Sequence, residues 1–78
     1  MSFALDVPAR MAGQDVDVAL FDMAGRRLRT LDSGIATAGR TTLRWDLRNT
    51  RGERVRPGTY WARITVGGER RAQMVIVH

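Results

Sequence analysis

Residues 59–77 decide the fold, and they read TYWARITVGGERRAQMVIV. Over 59–66, one face of the alternating pattern collects apolar side chains, which is typical of a β-strand: Tyr60, Ala62, Ile64 and Val66. The pair Gly67-Gly68 predicts a two-residue hairpin turn of type I′, since both glycines tolerate positive φ. Residues 69–77 then predict the closing strand, with Ala72, Met74 and Ile76 on the core face.

The same period of two runs outward through the rest of the chain. It predicts strands at 2–7, 15–22, 27–31 and 41–46, and a short edge strand at 53–56. Turn signals separate them, including a turn at 23–26 where Gly25 takes positive φ. About seven short strands without helical periodicity indicate an all-β antiparallel sandwich.

The alternation also predicts the core. Trp45 is expected to fill the space between the sheets, Asp46 to cap the next turn, and the Tyr60 hydroxyl to reach a loop carbonyl. The predicted core residues are Leu5, Val16, Val18, Leu20, Leu28, Leu43, Trp45, Tyr60, Ala62, Ile64, Met74 and Ile76.

Length and charge limit the number of domains and the kinds of ligand that the chain can bind. A chain of 78 residues predicts one domain, 1–78, with one thin core. The net charge is +5, from 13 basic residues, all of them Arg, and 8 acidic ones. The arginine excess reflects either codon usage or an anion-binding surface, because Arg binds phosphates and carboxylates in a bidentate way.

Catalytic chemistry has few candidates in this sequence. There is no Cys, and His78 is the one His, so transition-metal sites are disfavoured. Asp15 and Asp17 are expected to be solvated strand residues, and the carboxylates near Asp46 are too few to favour Ca²⁺. The sequence therefore predicts a non-enzyme that has no cofactor and no metal.

Two sets of side chains are candidate contact surfaces. Trp61 alternates with Tyr60, so it is expected to point outward beside Arg63, with Arg44 on the same outer face and stacked on Trp61. Candidate anion contacts are Arg26, Arg27, Arg29, Arg70 and Arg71, and a further basic cluster runs from Arg48 through Arg56. These clusters are either a solvated surface or a polyanion-binding one, which would need a single continuous face.

Several of these segments occur together in a known family. They are residues 18–31 (VALFDMAGRRLRTL), Ala38-Gly39-Arg40, residues 43–46 (LRWD), Gly52, Val55, residues 57–60 (PGTY) and residues 74–76 (MVI). In this order the chain resembles the immunoglobulin-like domain of the flagellar hook-capping (FlgD-like) family. It is also similar to the C-terminal sorting domains of type IX-secreted bacterial proteins. Leu47 stands where such domains usually carry Gly.

The resemblance implies an immunoglobulin-like (fibronectin III-like) sandwich and a non-catalytic module of an exported bacterial protein. That module would serve sorting, anchoring or assembly through protein partners, at the cell surface or outside the cell. The first residues are not a signal peptide and no apolar run is long enough to insert into a membrane, so any export signal is expected outside this chain. Two alternatives remain open: a subunit that self-assembles through edge strands, and, less favoured, an arginine-mediated polyanion or nucleic-acid binder.

Overall fold

The computed structural model describes residues 1–78, and β-strands dominate it. A 3-10 turn at Ala9–Met11 is the one helical segment, and no helix is long and apolar enough to cross a membrane. The strands are β1 (Ser2–Val7), β2 (Asp15–Phe21), β3 (Arg27–Ile35), β4 (Gly39–Arg44), β5 (Gly58–Val66) and β6 (Glu69–Val77).

The strands form two antiparallel sheets. One sheet pairs β1 with β4, and the other has the order β3-β2-β5-β6. The all-β antiparallel sandwich expected from the sequence is confirmed, with six strands instead of about seven. Residues 53–56 contribute only an isolated bridge between Arg48 and Arg54. Residues 32–35, expected in a loop, instead extend β3.

Two clusters of buried apolar side chains fill the space between the sheets, and no polar or charged residue is buried. The first surrounds Trp45 and contains Phe3, Leu20, Trp45, Tyr60, Ala62, Val75 and Val77. The second lies towards the 3-10 turn and contains Leu5, Val7, Met11, Val16, Val18 and Ala36. Because the sheets leave room for only one layer, each residue in it is a large share of the core.

The predicted core is confirmed for most positions. Leu28, Leu43 and Ile64 are only half-buried and pack against the rim of the clusters. The fully buried members are Leu5, Val16, Val18, Leu20, Trp45, Tyr60 and Ala62.

The prediction was wrong for Met74 and Ile76, which are each 53% exposed, whereas Val75 and Val77 are each 4% exposed. Val75 lies directly opposite Tyr60 in the β5–β6 pair, and side chains at directly opposite positions share a face. Since Tyr60 points inward, Val75 does too, and Met74 and Ile76 face outward.

Trp45 closes one end of the core and is 1% exposed. Its ring meets that of Tyr60 edge to face, with centroids 5.9 Å apart. Its Nε1–H donates to the carbonyl of Arg48 at 2.9 Å, and the Tyr60 hydroxyl donates to the carbonyl of Arg56. The expected roles of both aromatics are therefore confirmed, and the loop after β4 is tied to the core through them.

The two hairpin turns differ from each other. Gly25 has φ 84°, as expected for the turn between β2 and β3. In the turn between β5 and β6, Gly67 has positive φ (57°) but Gly68 does not, so the type I′ prediction was wrong and the signs match type II′. A Cβ at Gly67 would require the side-chain amide of Gln14 to move, and the positive φ also favours glycine there.

Candidate protein-interaction surface

The candidate surface lies on the side of the four-stranded sheet that faces away from the core. Alternation along β5 places Trp61 and Arg63 there, because Tyr60 and Ala62 point inward. The strand register sets Trp61 between Phe21 of β2 and Met74 of β6. We call the set Phe21, Trp61, Arg63, Met74 and Ile76 the outer face.

Two guanidinium groups lie against the ring of Phe21. The Arg63 guanidinium carbon is 4.2 Å from the ring centroid, and that of Arg27 is 5.3 Å from it. Arg27 also contacts Asp17, with an N–O distance of 3.1 Å, and donates to the Thr30 hydroxyl at 2.8 Å. The ring therefore orders both cations through its π-face, an attraction that strengthens as water is excluded.

Arg63 differs from Arg27 because it has no carboxylate partner. None of the ion pairs in the structure includes it, and its Nε is buried without a hydrogen-bond partner. A buried donor that lacks an acceptor costs about 1–3 kcal/mol. The outer face thus combines apolar side chains with an arginine that has no carboxylate partner and one unsatisfied donor.

Arg44 does not belong to this surface. It ends β4, where it pairs with Ser2 of β1 in the two-stranded sheet, while Trp61 lies in the other sheet. Trp45 is buried, so its neighbour Arg44 points to the far side of the sandwich. The expected stacking of Arg44 on Trp61 was wrong, because the sequence pattern does not say which strands share a sheet.

The sequence also missed three members of the outer face. Phe21, Met74 and Ile76 join it, and only cross-strand register places them beside Trp61. The available signal was that β6 is apolar at successive positions, at Met74 and Ile76 as well as at Val75 and Val77. A strand that is apolar on both faces either is covered on both or leaves one apolar face in water.

The candidate anion contacts separate into two groups at opposite ends of the sheet. Arg26, Arg27 and Arg29 follow the β2–β3 turn, and each forms an ion pair with an aspartate. Arg70 and Arg71 follow the β5–β6 turn, which lies at the other end because β5 runs antiparallel to β2. The structure therefore does not bring the five arginines into one continuous patch.

Asp22 organises the first of these turns. Its Oδ1 accepts the backbone N–H groups of Ala24 and Arg26 at 3.0 and 2.9 Å, and its Oδ2 accepts from the Arg26 guanidinium at 2.9 Å. The backbone N–H of Arg26, aided by its side chain, holds the pKa of Asp22 below its ordinary value of 3.8. This carboxylate caps the turn, so its role is to hold the backbone of residues 22–26 in place.

The loop that covers Trp45 uses its polar groups in the same way. Asp46 Oδ1 accepts the backbone N–H of Arg48 at 3.0 Å, which confirms its predicted capping role, and it also accepts from Arg29 at 2.9 Å. Asn49 Oδ1 accepts the backbone N–H groups of Arg51 and Glu53. No group of three His, Cys, Asp or Glu side chains is placed to hold a metal ion.

A groove of about 530 Å³ opens on the side of the sandwich between β1 and β6. Its apolar lining includes Leu5, Met11, Ile64 and Val66. The groove exists because the two-stranded sheet is narrower than the four-stranded one, so the inner side of β6 from Glu69 to Gln73 is uncovered. An ion pair of 3.3 Å between Arg10 and Glu69 joins the 3-10 turn to the start of β6.

Comparison with known families shows which family this fold belongs to. A profile of the FlgD Ig-like domain family matches residues 1–69, which is most of the chain. The chain belongs to this family. The matched part of this FlgD Ig-like domain ends at the first residue of β6, so Met74 and Ile76 lie outside it.

Among solved structures, this FlgD Ig-like domain is similar to FlgD from P. aeruginosa, with a TM-score of 0.65 and 23% identity. The alignment covers 97% of this chain and 58% of that chain, so this chain spans a little more than half of that protein's length. The similarity confirms the immunoglobulin-like fold. A search of curated proteins gave no match.

Leu47 follows the Trp-Asp pair, at the position where the resemblance noted from the sequence implies Gly. Leu47 has φ 64°, and no other residue apart from glycine has positive φ. A left-handed conformation costs an L-residue about 1–2 kcal/mol. The Leu47 side chain packs against the Trp45 cluster, and apolar burial there offsets part of that strain.

Proposed function

We propose that this domain is a non-catalytic structural module that joins a larger bacterial protein to another protein. The observation that carries the proposal is the outer face, where half-buried Trp61 and exposed Met74 and Ile76 share one side of the sheet with Arg63, an arginine without a carboxylate partner. Exposed apolar patches that contain Trp and Arg are typical of protein interfaces. A partner carboxylate could satisfy Arg63 while apolar side chains cover Trp61.

We further propose that the parent protein is exported and that the module serves its assembly outside the cell. Membership in the FlgD Ig-like domain family supports this role, because flagellar hook-capping proteins act in the assembly of an external structure. Sorting or anchoring at the cell surface are the other two roles that the resemblance to type IX sorting domains suggests. All three roles need a protein partner and none needs catalysis.

Polyanion binding has weaker support. The five candidate arginines lie in two groups at opposite ends of the sheet, and ion pairs with aspartates already occupy Arg26, Arg27 and Arg29. Phosphate binding would need several free arginines on one face and would weaken steeply with salt. Fluorescence anisotropy with a labelled single-stranded oligonucleotide between about 50 and 200 mM salt tests this directly. Tight binding that falls steeply with salt would favour polyanion binding over the proposed role.

The test of the proposed function uses the parent protein in the bacterium that encodes it. We expect Trp61→Ala and Arg63→Ala to reduce the assembled or surface-retained fraction of the parent protein several-fold in cell fractions. Arg44→Ala, on the far side of the sandwich, is the matched control and should behave as wild type. A loss of assembly would indicate the assembly role, a loss of surface retention the anchoring role, and a loss of secretion the sorting role.

The purified domains supply the second readout. The thermal midpoints of the three variants should stay close to that of wild type, because none of these side chains is fully buried. Wild-type levels of assembly, retention and secretion in both outer-face variants would overturn the proposal. Equal losses in Arg44→Ala would overturn it too, since the effect would then not be specific to the outer face.

A further inference from the structure

β6 is an edge strand, and one side of its backbone has no partner. The Gly67 N–H donates to the Asp15 carbonyl at 2.8 Å, so the odd-numbered residues of β5 point their backbone groups at β2. The even-numbered residues of β5 therefore bond to the odd-numbered residues of β6. The N–H and C=O groups of Arg70, Ala72, Met74 and Ile76 point away from the sheet.

Most of this edge lacks the features that usually protect edges, because its charged residues are confined to its first three positions, Glu69, Arg70 and Arg71. It pairs with β5 over all nine residues without a bulge, it contains no Pro, and its one acidic residue, Glu69, already pairs with Arg10. Proteins normally blunt such an edge with bulges, Pro or charges, since a long regular edge is a template for pairing with another strand.

The opposite edge of the same sheet is protected. β3 pairs with β2 through two register shifts, and Gly34 has φ 130°. Its residues Arg27 and Arg29 are held in ion pairs with Asp17 and Asp46. The two edges of the other sheet are only six residues long. β6 is therefore the edge best suited to accept another strand.

The side chains along this edge are apolar where they face outward. Met74 and Ile76 are each 53% exposed, and the register places them beside Trp61 and Thr59. A strand added to β6 would cover part of this apolar area and bond to the backbone groups at the same time. The apolar burial and the new hydrogen bonds would involve the same four residues, because their side chains face outward and their backbone groups face the edge. These residues are Arg70, Ala72, Met74 and Ile76.

We propose that β6 pairs antiparallel with β6 of a second copy and so joins two domains into one symmetric dimer with a continuous sheet. Because only even-numbered residues present their backbone groups, full overlap of the two nine-residue strands fixes the register. Gln73 lies opposite Gln73 of the partner subunit. Ala72 and Met74 exchange hydrogen bonds across the dimer, and so do Arg70 and Ile76.

The proposed register places no like charges directly opposite each other. In the proposed register no two arginines face each other, because Arg70 stands opposite Ile76 and Arg71 opposite Val75. The aliphatic stem of Arg70 covers part of the exposed Ile76 side chain, while the charged end stays in water. The two Gln73 amides can bond to each other. The pairing needs only this domain, so it does not depend on the proposed role in the parent protein.

The mass of the domain in solution tests the pairing. We expect light scattering to show 8.7 kDa at low concentration. The mass should rise towards twice that value between about 10 µM and about 1 mM protein, as mass action requires. Met74→Pro should keep the mass at that of the monomer, because the Met74 N–H bonds only across the dimer. Met74→Lys serves the same purpose if the Pro variant folds poorly.

Ile35→Lys is the matched control. Ile35 is an exposed apolar residue on the opposite edge strand, so its change should leave the dimer intact. A dimer that survives both Met74 variants, or one that Ile35→Lys abolishes, would overturn the proposal.

A cysteine cross-link tests the register, and the absence of native Cys makes a single introduced thiol specific. In the proposed register, Gln73→Cys places the two thiols directly opposite, with Cα atoms about 4.5 Å apart, within disulfide range. Arg71→Cys lies on the same strand face, but its two thiols are four positions apart, roughly 13 Å. We expect the Gln73→Cys dimer to cross-link at least ten times faster under mild oxidation.

Two results would refute the pairing as stated. One is a mass of 8.7 kDa at every concentration together with equal cross-linking of the two Cys variants. The other is faster cross-linking of the Arg71→Cys variant, which would refute the register.

Discussion

The two ends of the sandwich are closed in different ways. At one end, Trp45 packs against Tyr60, and the following loop is tied to both aromatics by hydrogen bonds. At the other end, the core reaches Ile64 and Val66, which are half-buried and line an open groove of about 530 Å³. A thin core is thus sealed by one large side chain where a loop covers it and stays partly open where no strand covers β6.

The comparison teaches where the stability of a small domain is concentrated. Burial of apolar area stabilises by about 25 cal/mol per Å² that is removed from water, so a closed end contributes more than an open one. We therefore expect substitutions at the Trp45 end to cost more than those beside the groove. Four predictions follow the expected size of the effect.

The largest effect is expected for Trp45→Ala. It removes a ring that is 1% exposed and leaves a cavity under the loop, so the free energy of unfolding should fall by about 3–5 kcal/mol. Urea unfolding followed by circular dichroism measures it, and a domain of this size is expected to be largely unfolded by the change. Trp61→Ala is the matched control, and it should cost no more than about 1 kcal/mol. Equal losses from the two tryptophans would contradict the comparison.

Ile64→Ala probes the open end. Ile64 faces the groove and is half-buried, so its loss should cost about 1–2 kcal/mol, below the 2–5 kcal/mol usual for a fully buried residue. The same urea titration measures it, with Leu20→Ala, at 0% exposure, as the buried reference. A cost for Ile64→Ala that equals the cost for Leu20→Ala would mean that the groove is closed in solution.

The core residues also show how far the sequence could predict the fold. Alternation assigned Trp45, Tyr60 and Leu20 to the core, and all three are buried. The same rule failed at Met74 and Ile76, since β6 carries apolar residues on both faces and alternation alone cannot choose between them. Only the pairing of Val75 with Tyr60 decides it.

The candidate site was predictable in part for the same reason. The orientation of Trp61 and Arg63 follows from their own strand, which is local information. The neighbours of these two residues depend on which strands share a sheet, and this is non-local. The sequence therefore could not place Phe21 beside Arg63, or Arg44 in the other sheet.

Tyr60→Phe tests the hydrogen bonds that tie the loop to the closed end. The ring and its edge-to-face contact with Trp45 remain, and only the donor to the Arg56 carbonyl is lost. We expect a loss of about 1 kcal/mol, the usual net value of one such hydrogen bond. Hydrogen exchange of the amides in residues 46–57 should accelerate, while amides in β2 should not change. Unchanged exchange in the loop would show that its other hydrogen bonds, such as those of Trp45 to Arg48 and of Thr50 to Leu28, hold it without the Tyr60 hydroxyl.

The smallest effect is expected at Asp22, in the turn between β2 and β3. Its pKa is lowered in the folded state, so the folded form binds fewer protons than the unfolded form near that pKa. The contribution of Asp22 is therefore present above its ordinary value of 3.8 and is lost as the pH falls through the lower folded value.

Urea midpoints at pH 7 and at about pH 2.5 test this, because the difference between wild type and Asp22→Asn should shrink at the lower pH. Asp15→Asn, at an exposed position outside the ion pairs, is the control. A gap that stays constant or widens at low pH would contradict the assignment.

The pairing of β1 with β4 has a consequence for the order of folding. β2–β3 and β5–β6 are hairpins whose partners are joined by short turns, whereas the terminal amine of Met1 donates to the carbonyl of Trp45 across 44 positions. Closing so long a loop costs chain entropy before any contact repays it, and a two-stranded sheet has little stability of its own. The two hairpins are therefore expected to form first, and the non-local pairings of β2 with β5 and of β1 with β4 are expected to follow, with the second of these completing the burial of Trp45.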